Sequence, residues 1–317
     1  MSQLTHKSLN YWLERFDKIQ GEFPGSVVDS FCFGDPNSHN HLVVISAIHG
    51  DEIGSLPVVV DLAEKIRTQN LGLKMTVALG CRQAILSQKR FLKYDLNRNI
   101  KISNINDPEI LRAQELIQVV STATALIDFH QTIQPTESAF YIFPPNPLSI
   151  NLCKVLKGTD VVVEDLSLAQ YGEMSLVEFA LGKGIPAVAI ELGQKGITVE
   201  SYKLGTEILH NAIGYLSSIQ TDIRTESKLF TVNQVNLRVL KILEDICCED
   251  SRDCLVEGLS NLQAIAANQL LVSRFDGTKV FASQDGFILF PKYPKRSEDQ
   301  IPLESFGKVL CSIAVKK

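Results

Sequence analysis

Four stretches of this chain are apolar at nearly every position. They are HLVVISAI (His41 to Ile48), MTVALGC (Met75 to Cys81), ATALIDFH (Ala123 to His130) and IPAVAIELG (Ile185 to Gly193). A strand with one wet face alternates apolar and polar residues. A short run that is apolar and β-branched throughout has to be covered on both faces. That requirement leaves few folds: the strands must lie in a mostly parallel sheet with helices on either side.

The segments between the runs supply those helices. Trp12, Phe16 and Ile19 have helical spacing and predict a helix over about residues 10–23. Leu56 to Arg67 reads as a helix, with Pro57 tolerated in its first turn. Asp107-Pro108 reads as an N-cap followed by proline at the first helical position, opening a helix to Val120. Ser175 to Gly182 and Glu200 to Ser217 read as two more, while SAFYIFP and Asp160 to Val163 read as further strands. After about Ser217 the pattern changes. SIQTDIRTESK is polar and reads as a linker. LFTVNQV, LLVSRFDGTKVFA, GFILFP and KVLCSIAV follow as short strands, with a hairpin at Asp276-Gly277. The expected organisation is an α/β domain over residues 1–222 and a smaller, mainly β domain over 223–317.

Net charge narrows the partners. With 31 Lys and Arg against 36 Asp and Glu, the chain carries about −5, which argues against nucleic acid as the main partner. No run of some eighteen apolar residues suggests a membrane span, and MSQLTHKSLNYWLERF lacks the apolar core of a signal peptide. Seven scattered cysteines suit a reducing cytoplasm; Cys247, Cys248 and Cys254 lack the paired spacing and nearby histidine of a metal knuckle. A homo-oligomer is compatible with all of this.

Open parallel sheets bind ligands at the carboxyl ends of their strands. The polar residues there are His49 and Glu52 after the first run, His130 at the end of the third, and Glu191 at the end of the fourth. Such a set suits metal-assisted hydrolysis. A catalytic zinc takes three protein ligands, His2Glu among the known sets, and keeps one position for water. His49 and Glu52 are three residues apart and can point the same way at a helix start. His130 would complete the set, and Glu191 would be free to act as general base. Arg98, in DLNRN, is a cation suited to bidentate grip of a carboxylate. Asp51 reads as a supporting residue that accepts bonds in the turn or orients His49. His6, His39, His41 and His210 read as structural; His39 and His41 lie at the amino end of a strand. Each functional residue also has a plainer reading as an ordinary hydrogen-bonded or surface group.

Taken in order, HGDE (His49 to Glu52), CRQAI followed by KRFLKYDLNRN (Cys81 to Asn99), DFHQT (Asp128 to Thr132) and AIELG (Ala189 to Gly193) resemble the succinylglutamate desuccinylase/aspartoacylase family. DGFILFPKYP (Asp285 to Pro294) is similar to that family's C-terminal stretch. The resemblance implies a zinc carboxypeptidase-like fold, one Zn2+ on His49, Glu52 and His130, and Glu191 as the base that also protonates the leaving amine. It implies Arg82 polarising the scissile carbonyl and Asn97 and Arg98 gripping a substrate carboxylate. It further implies a substrate-gripping cation shortly before Glu191, a place where this chain has Lys183, and a C-terminal tyrosine, Tyr293, at the substrate. The lysine departs from the arginine of aspartoacylase-type members and is a point charge rather than a fork. The implied reaction is hydrolysis of the amide of a small N-acyl amino acid. A peptide-cleaving carboxypeptidase and a non-catalytic metabolite binder are the alternatives.

Overall fold

The computed structural model describes residues 4–69, 71–102, 105–166, 172–219, 236–303 and 307–317. The four apolar runs become β2 (His41–Ser46), β3 (Lys74–Leu79), β4 (Ala125–Thr132) and β7 (Ala187–Gln194), and every residue of β2 and β4 is buried. β3, β2, β4 and β7 lie side by side in that order, all parallel. β1 (Ser30–Gly34), which periodicity does not reveal, adds an antiparallel edge to β3. β5 (Phe140–Phe143) runs antiparallel to β7, and β6 (Val161–Glu164) parallel to β5.

Covering the sheet are α1 (Leu9–Glu22), α2 (Leu56–Ile66), α3 (Arg82–Leu86), α4 (Pro108–Ser121), α5 (Pro147–Leu156), α6 (Leu176–Gly182) and α7 (Val199–Ser218). α1, α2, α7 and α5 pack as a row, and α4 packs with α6. α1 buries Trp12, Leu13, Phe16 and Ile19, the spacing expected for one helical face. Asp107 caps α4 through the backbone N–H of Glu109. α5, a helix beyond those expected, starts at Asn146-Pro147 with the same start signal.

The expected linker and the strand LFTVNQV fall almost wholly within 220–235 and lie outside the described residues. Beyond them the sheet does not stop. β8 (Arg238–Cys247) pairs parallel to β6, starting at Val161 opposite Arg238. The chain then forms β9 (Cys254–Leu255), β10 (Ala264–Ile265), β11 (Leu270–Ser273), β12 (Lys279–Phe281), β13 (Gly286–Leu289) and β14 (Val309–Lys316). β14, β13 and β10 continue the large sheet antiparallel beyond β8, and β12, β11 and β9 form a small second sheet. The hairpin at Asp276-Gly277 joins β11 to β12, with Gly277 at φ 89°.

The C-terminal strands bury their own apolar cluster, including Leu271, Val272, Ile288, Leu310 and Ile313. A separate cluster joins Phe140, Val161 and Val163 to Leu240, Leu289 and Ala314 across the two halves. Among the described residues no helix is long and apolar enough to cross a membrane.

Candidate active site

The chain runs from β2 to β3 on one side, then returns to place β4 on the other side of β2. Strand order therefore reverses between β2 and β4. At such a switch point the connections leave in opposite directions and open a crevice at the carboxyl ends. His49 follows β2, and His130 lies near the end of β4, so both meet at that crevice.

Local geometry aims them. The chain leaves β2 through Ala47 at φ 52°, a left-handed conformation costing about 1 kcal/mol or more outside glycine. Gly50 then passes so close to α3 that a Cβ there would lie 2.2 Å from the carbonyl carbon of Ala84. The Gly50 N–H donates to the carbonyl of Arg90 at 3.1 Å. The glycine of HGDE is thus dictated by the backbone of CRQAI.

His49 and Glu52 do point the same way, across a turn that leads into the short 3-10 segment Ile53–Ser55. Glu52 faces both imidazoles: Oε1 is 2.9 Å from His49 Nδ1, and Oε2 is 3.0 Å from His130 Nδ1. Oε2 also accepts the Gln131 N–H at 3.0 Å. All three side chains are buried, and one ligand atom from each lies within 4.8 Å of the others. The far nitrogen of each ring faces a carboxylate: His49 Nε2 is 3.3 Å from Asp95 Oδ1, and His130 Nε2 is 3.0 Å from Asp128 Oδ2. An imidazole held at its back by a carboxylate is how proteins commonly orient a histidine toward a metal. The donor set therefore fits a divalent cation bound by two histidines and one carboxylate.

Burial opposes charge on Glu52, but the two imidazoles outweigh it and hold its carboxyl well below the usual range. Burial likewise opposes charge on His130, and Asp128 and Glu52 overcome it, pushing the imidazole up.

Glu191 stands in register with His130 on the neighbouring parallel strand, so both side chains leave the same face. It is buried, and its Oε2 has no hydrogen-bond partner. Burial first, and then the Glu52 charge, raise its pKa above the ordinary carboxylate range.

The loop from residue 89 to 99 borders the crevice. Arg90 Nη1 lies 3.2 Å from Glu52 Oε1 and Nε 3.1 Å from Asp95 Oδ2, so Asp95 ties Arg90 to His49. Buried Glu109, in the first turn of α4, accepts the backbone N–H groups of Leu92, Lys93 and Tyr94 at 2.7–2.8 Å. That carboxylate anchors the loop between Arg90 and Asp95. Asn97 is buried with Nδ2 3.4 Å from His130 Nε2, and its Oδ1 accepts the Leu176 N–H at 2.9 Å. Arg98, about 30% exposed, follows it at the rim.

Three expected substrate contacts are engaged elsewhere. All three guanidinium nitrogens of Arg82 are bonded to Asp17 and Asp29, fastening α3 to α1 and to the turn before β1. Lys183 is exposed just after α6, over the Phe179 ring, and precedes β7 at the amino edge of the sheet. The Tyr293 hydroxyl donates to the carbonyl of Val256 at 2.7 Å and accepts the Leu259 N–H at 2.8 Å, within the C-terminal core. Asp51 pairs with Lys195 rather than with His49; Asp95 takes the orienting position. Arg90, Asp95, Asp128 and Glu109 join the site beyond the expected set. Asp128 had a readable signal, since residues two apart on a strand share a face.

Fold and site together define a mixed α/β protein with a buried His–Glu–His cluster in its switch-point crevice. The family model described as the succinylglutamate desuccinylase/aspartoacylase catalytic domain matches residues 38–211. The chain belongs to that family, whose members are acyl-amino-acid hydrolases. Succinylglutamate desuccinylase from Vibrio parahaemolyticus has a similar structure, with a TM-score of 0.68 at 14% identity, covering 91% of this chain and 86% of that one. The product-bound ectoine utilization protein EutE (DoeB) from Ruegeria pomeroyi gives 0.67 at 16% identity, over 90% and 88%. Murine aminoacylase 3 gives 0.59 at 15% identity, over 89% and 97%. No curated protein matches the chain at the sequence level.

Proposed function

We propose that this chain is a zinc-dependent amidohydrolase that cleaves the amide bond of a small N-acyl amino acid. The observation that carries the reading is the meeting of His49, Glu52 and His130 beside the unpartnered, buried oxygen of Glu191. His49, Glu52 and His130 would hold one Zn2+. When bound, that cation supplies Lewis acidity to water and to the scissile carbonyl.

Glu191 Oε2 is the base: it takes a proton from the attacking water and returns it to the leaving amine. A raised pKa suits both halves of that task, because the group must gain and lose the proton near neutrality. Arg90, rather than Arg82, is the cation for charge developing on the carbonyl oxygen, since its guanidinium borders Glu52. Asn97 and Arg98 bind a substrate carboxylate, with Asn97 Nδ2 as a neutral donor and Arg98 as the cation. All seven cysteines are free, which supports a reducing, cytoplasmic setting.

The test is a panel of acetyl, succinyl and longer acyl derivatives of Glu, Asp and neutral amino acids, with short peptides beside them, alongside metal analysis. Wild type should hold about one Zn2+ and hydrolyse part of the acyl panel, while Glu191→Gln keeps the metal and loses about 10²–10⁴-fold in kcat. Protein that binds no metal, or Glu191→Gln that turns over at the wild-type rate, rejects the reading.

A further inference from the structure

We propose that Glu173 is a specificity-determining residue: it occupies Arg98 as an internal competitor, so a carboxylate-bearing ligand must displace it to reach that arginine. The inference rests on the reading that Arg98 faces the substrate.

Arg98 Nε lies 3.3 Å from Glu173 Oε2, and Arg98 Nη1 donates to the carbonyl of Asn97 at 3.0 Å. A guanidinium offers a carboxylate two forks, Nε with Nη2 and Nη1 with Nη2. Each fork of Arg98 already has one nitrogen engaged, and Glu173 holds the side-on one.

The chain around Glu173 is built to put it there. The N–H of Met174 donates to the carbonyl of Arg98 at 3.0 Å, and Met174 bridges Asn99 in the parallel sense. Two residues on, the Leu176 N–H is bonded to Asn97 Oδ1. Ser175 and Glu178 then form a capping box that fixes the start of α6. The segment 173–176 is therefore stitched to the same two residues, Asn97 and Arg98, that the site would present to a ligand.

Neighbouring carboxylates are committed elsewhere. Asp95 serves His49, Arg90 and the Asn97 N–H, and Glu178 serves the capping box. Among the described residues Glu173 is the acid that pairs directly with Arg98, while Asp95 acts on it at longer range.

The pair is partly wet, with side chains 30% and 41% exposed, so its strength is that of a surface ion pair. Glu173 can swing aside, and it acts as a competitor rather than a lock. The consequence is a bias against ligands with a carboxylate aimed at Arg98, relative to those with a neutral group there.

The experiment uses zinc-loaded wild type, Glu173→Gln, Arg98→Ala and the double variant. Each is titrated calorimetrically with succinate and with the neutral N-acetylglycinamide, and wild-type hydrolysis of acetyl and succinyl amino acids is followed in parallel. Glu173→Gln should bind succinate roughly two- to fivefold tighter than wild type, with N-acetylglycinamide unchanged. The gain should vanish in the double variant. Equal or weaker succinate binding by Glu173→Gln, a gain that survives loss of Arg98, or no succinate binding by any form overturns the proposal. Absent hydrolysis with the succinate pattern intact strikes the amidohydrolase reading alone and leaves the exchange at Arg98 standing.

Discussion

β2 opens on one histidine and is followed three residues on by another, and the two do different work. His41 opens the strand. Its Nδ1 is 3.0 Å from the carbonyl of Thr122, so that nitrogen carries the proton, and its Nε2 accepts from the Thr76 hydroxyl at 2.8 Å. Every partner is neutral, and burial lowers its pKa to about 4. His49, three residues beyond the strand, lies between Glu52 and Asp95. One edge of the sheet satisfies a buried imidazole and leaves it inert. The other surrounds imidazoles with carboxylates, the arrangement of a cation site. The lesson is that the partners decide the role, and the fold puts the carboxylates at the carboxyl edge.

Substitution of one histidine from each edge is the strongest way to break the contrast. His130→Ala should lower metal affinity and turnover by more than about a hundredfold, whereas His41→Gln should keep a full complement of metal and near-normal kcat. Metal analysis and steady-state assays decide it; equal losses in the two variants would dissolve the distinction between the edges.

The two arginines make a second, smaller contrast. Arg90→Ala should reduce kcat by about 10²–10³, as removal of an oxyanion donor does. Arg82→Ala should lower the melting temperature through its lost bonds to Asp17 and Asp29 and change kcat by less than about fivefold. If Arg82→Ala were as slow as Arg90→Ala, the polarising role would return to Arg82.

The smallest effect is one of pH. His41 in the folded protein titrates at about 4, below the ordinary 6.5, so the unfolded chain takes up a proton that the folded one refuses. Its contribution to stability is complete above about 6.5 and is lost as pH falls toward 4, amounting to roughly 3 kcal/mol at about 1.4 kcal/mol per pH unit. Chemical denaturation at pH 7 and pH 4 should show the stability gap between wild type and His41→Gln shrinking by that order. A gap independent of pH would mean that His41 titrates alike in the folded and the unfolded chain.

The parallel half of the fold is legible because full burial leaves a plain mark: β2 and β4 are buried throughout and β7 up to its last two residues, so their sequences have almost no polar residue before the carboxyl end. For the same reason His49, His130 and Glu191 stand out. β8 is less legible. Lys241, Glu244 and Asp245 interrupt it, and its burial is partial along most of its length. The choice between Arg82 and Arg90 depends on where Asp17 and Asp29 come to lie, which no local spacing reveals. Tyr293 and Lys183 mislead in the same way: residue type suits a substrate contact, but tertiary placement assigns the hydroxyl to Val256 and the ammonium to the opposite edge.

β14 is the latest strand in chain order, yet it sits inside the large sheet between β8 and β13. Until residues 309–316 insert, β8 and β13 each expose an open edge, and such edges recruit strands from other chains. Assembly of this half waits on a pairing distant in sequence, which is slow compared with local helix formation. Two edges that the finished sheet hides are thus open for a stage of folding, in a region that carries none of the proposed metal ligands.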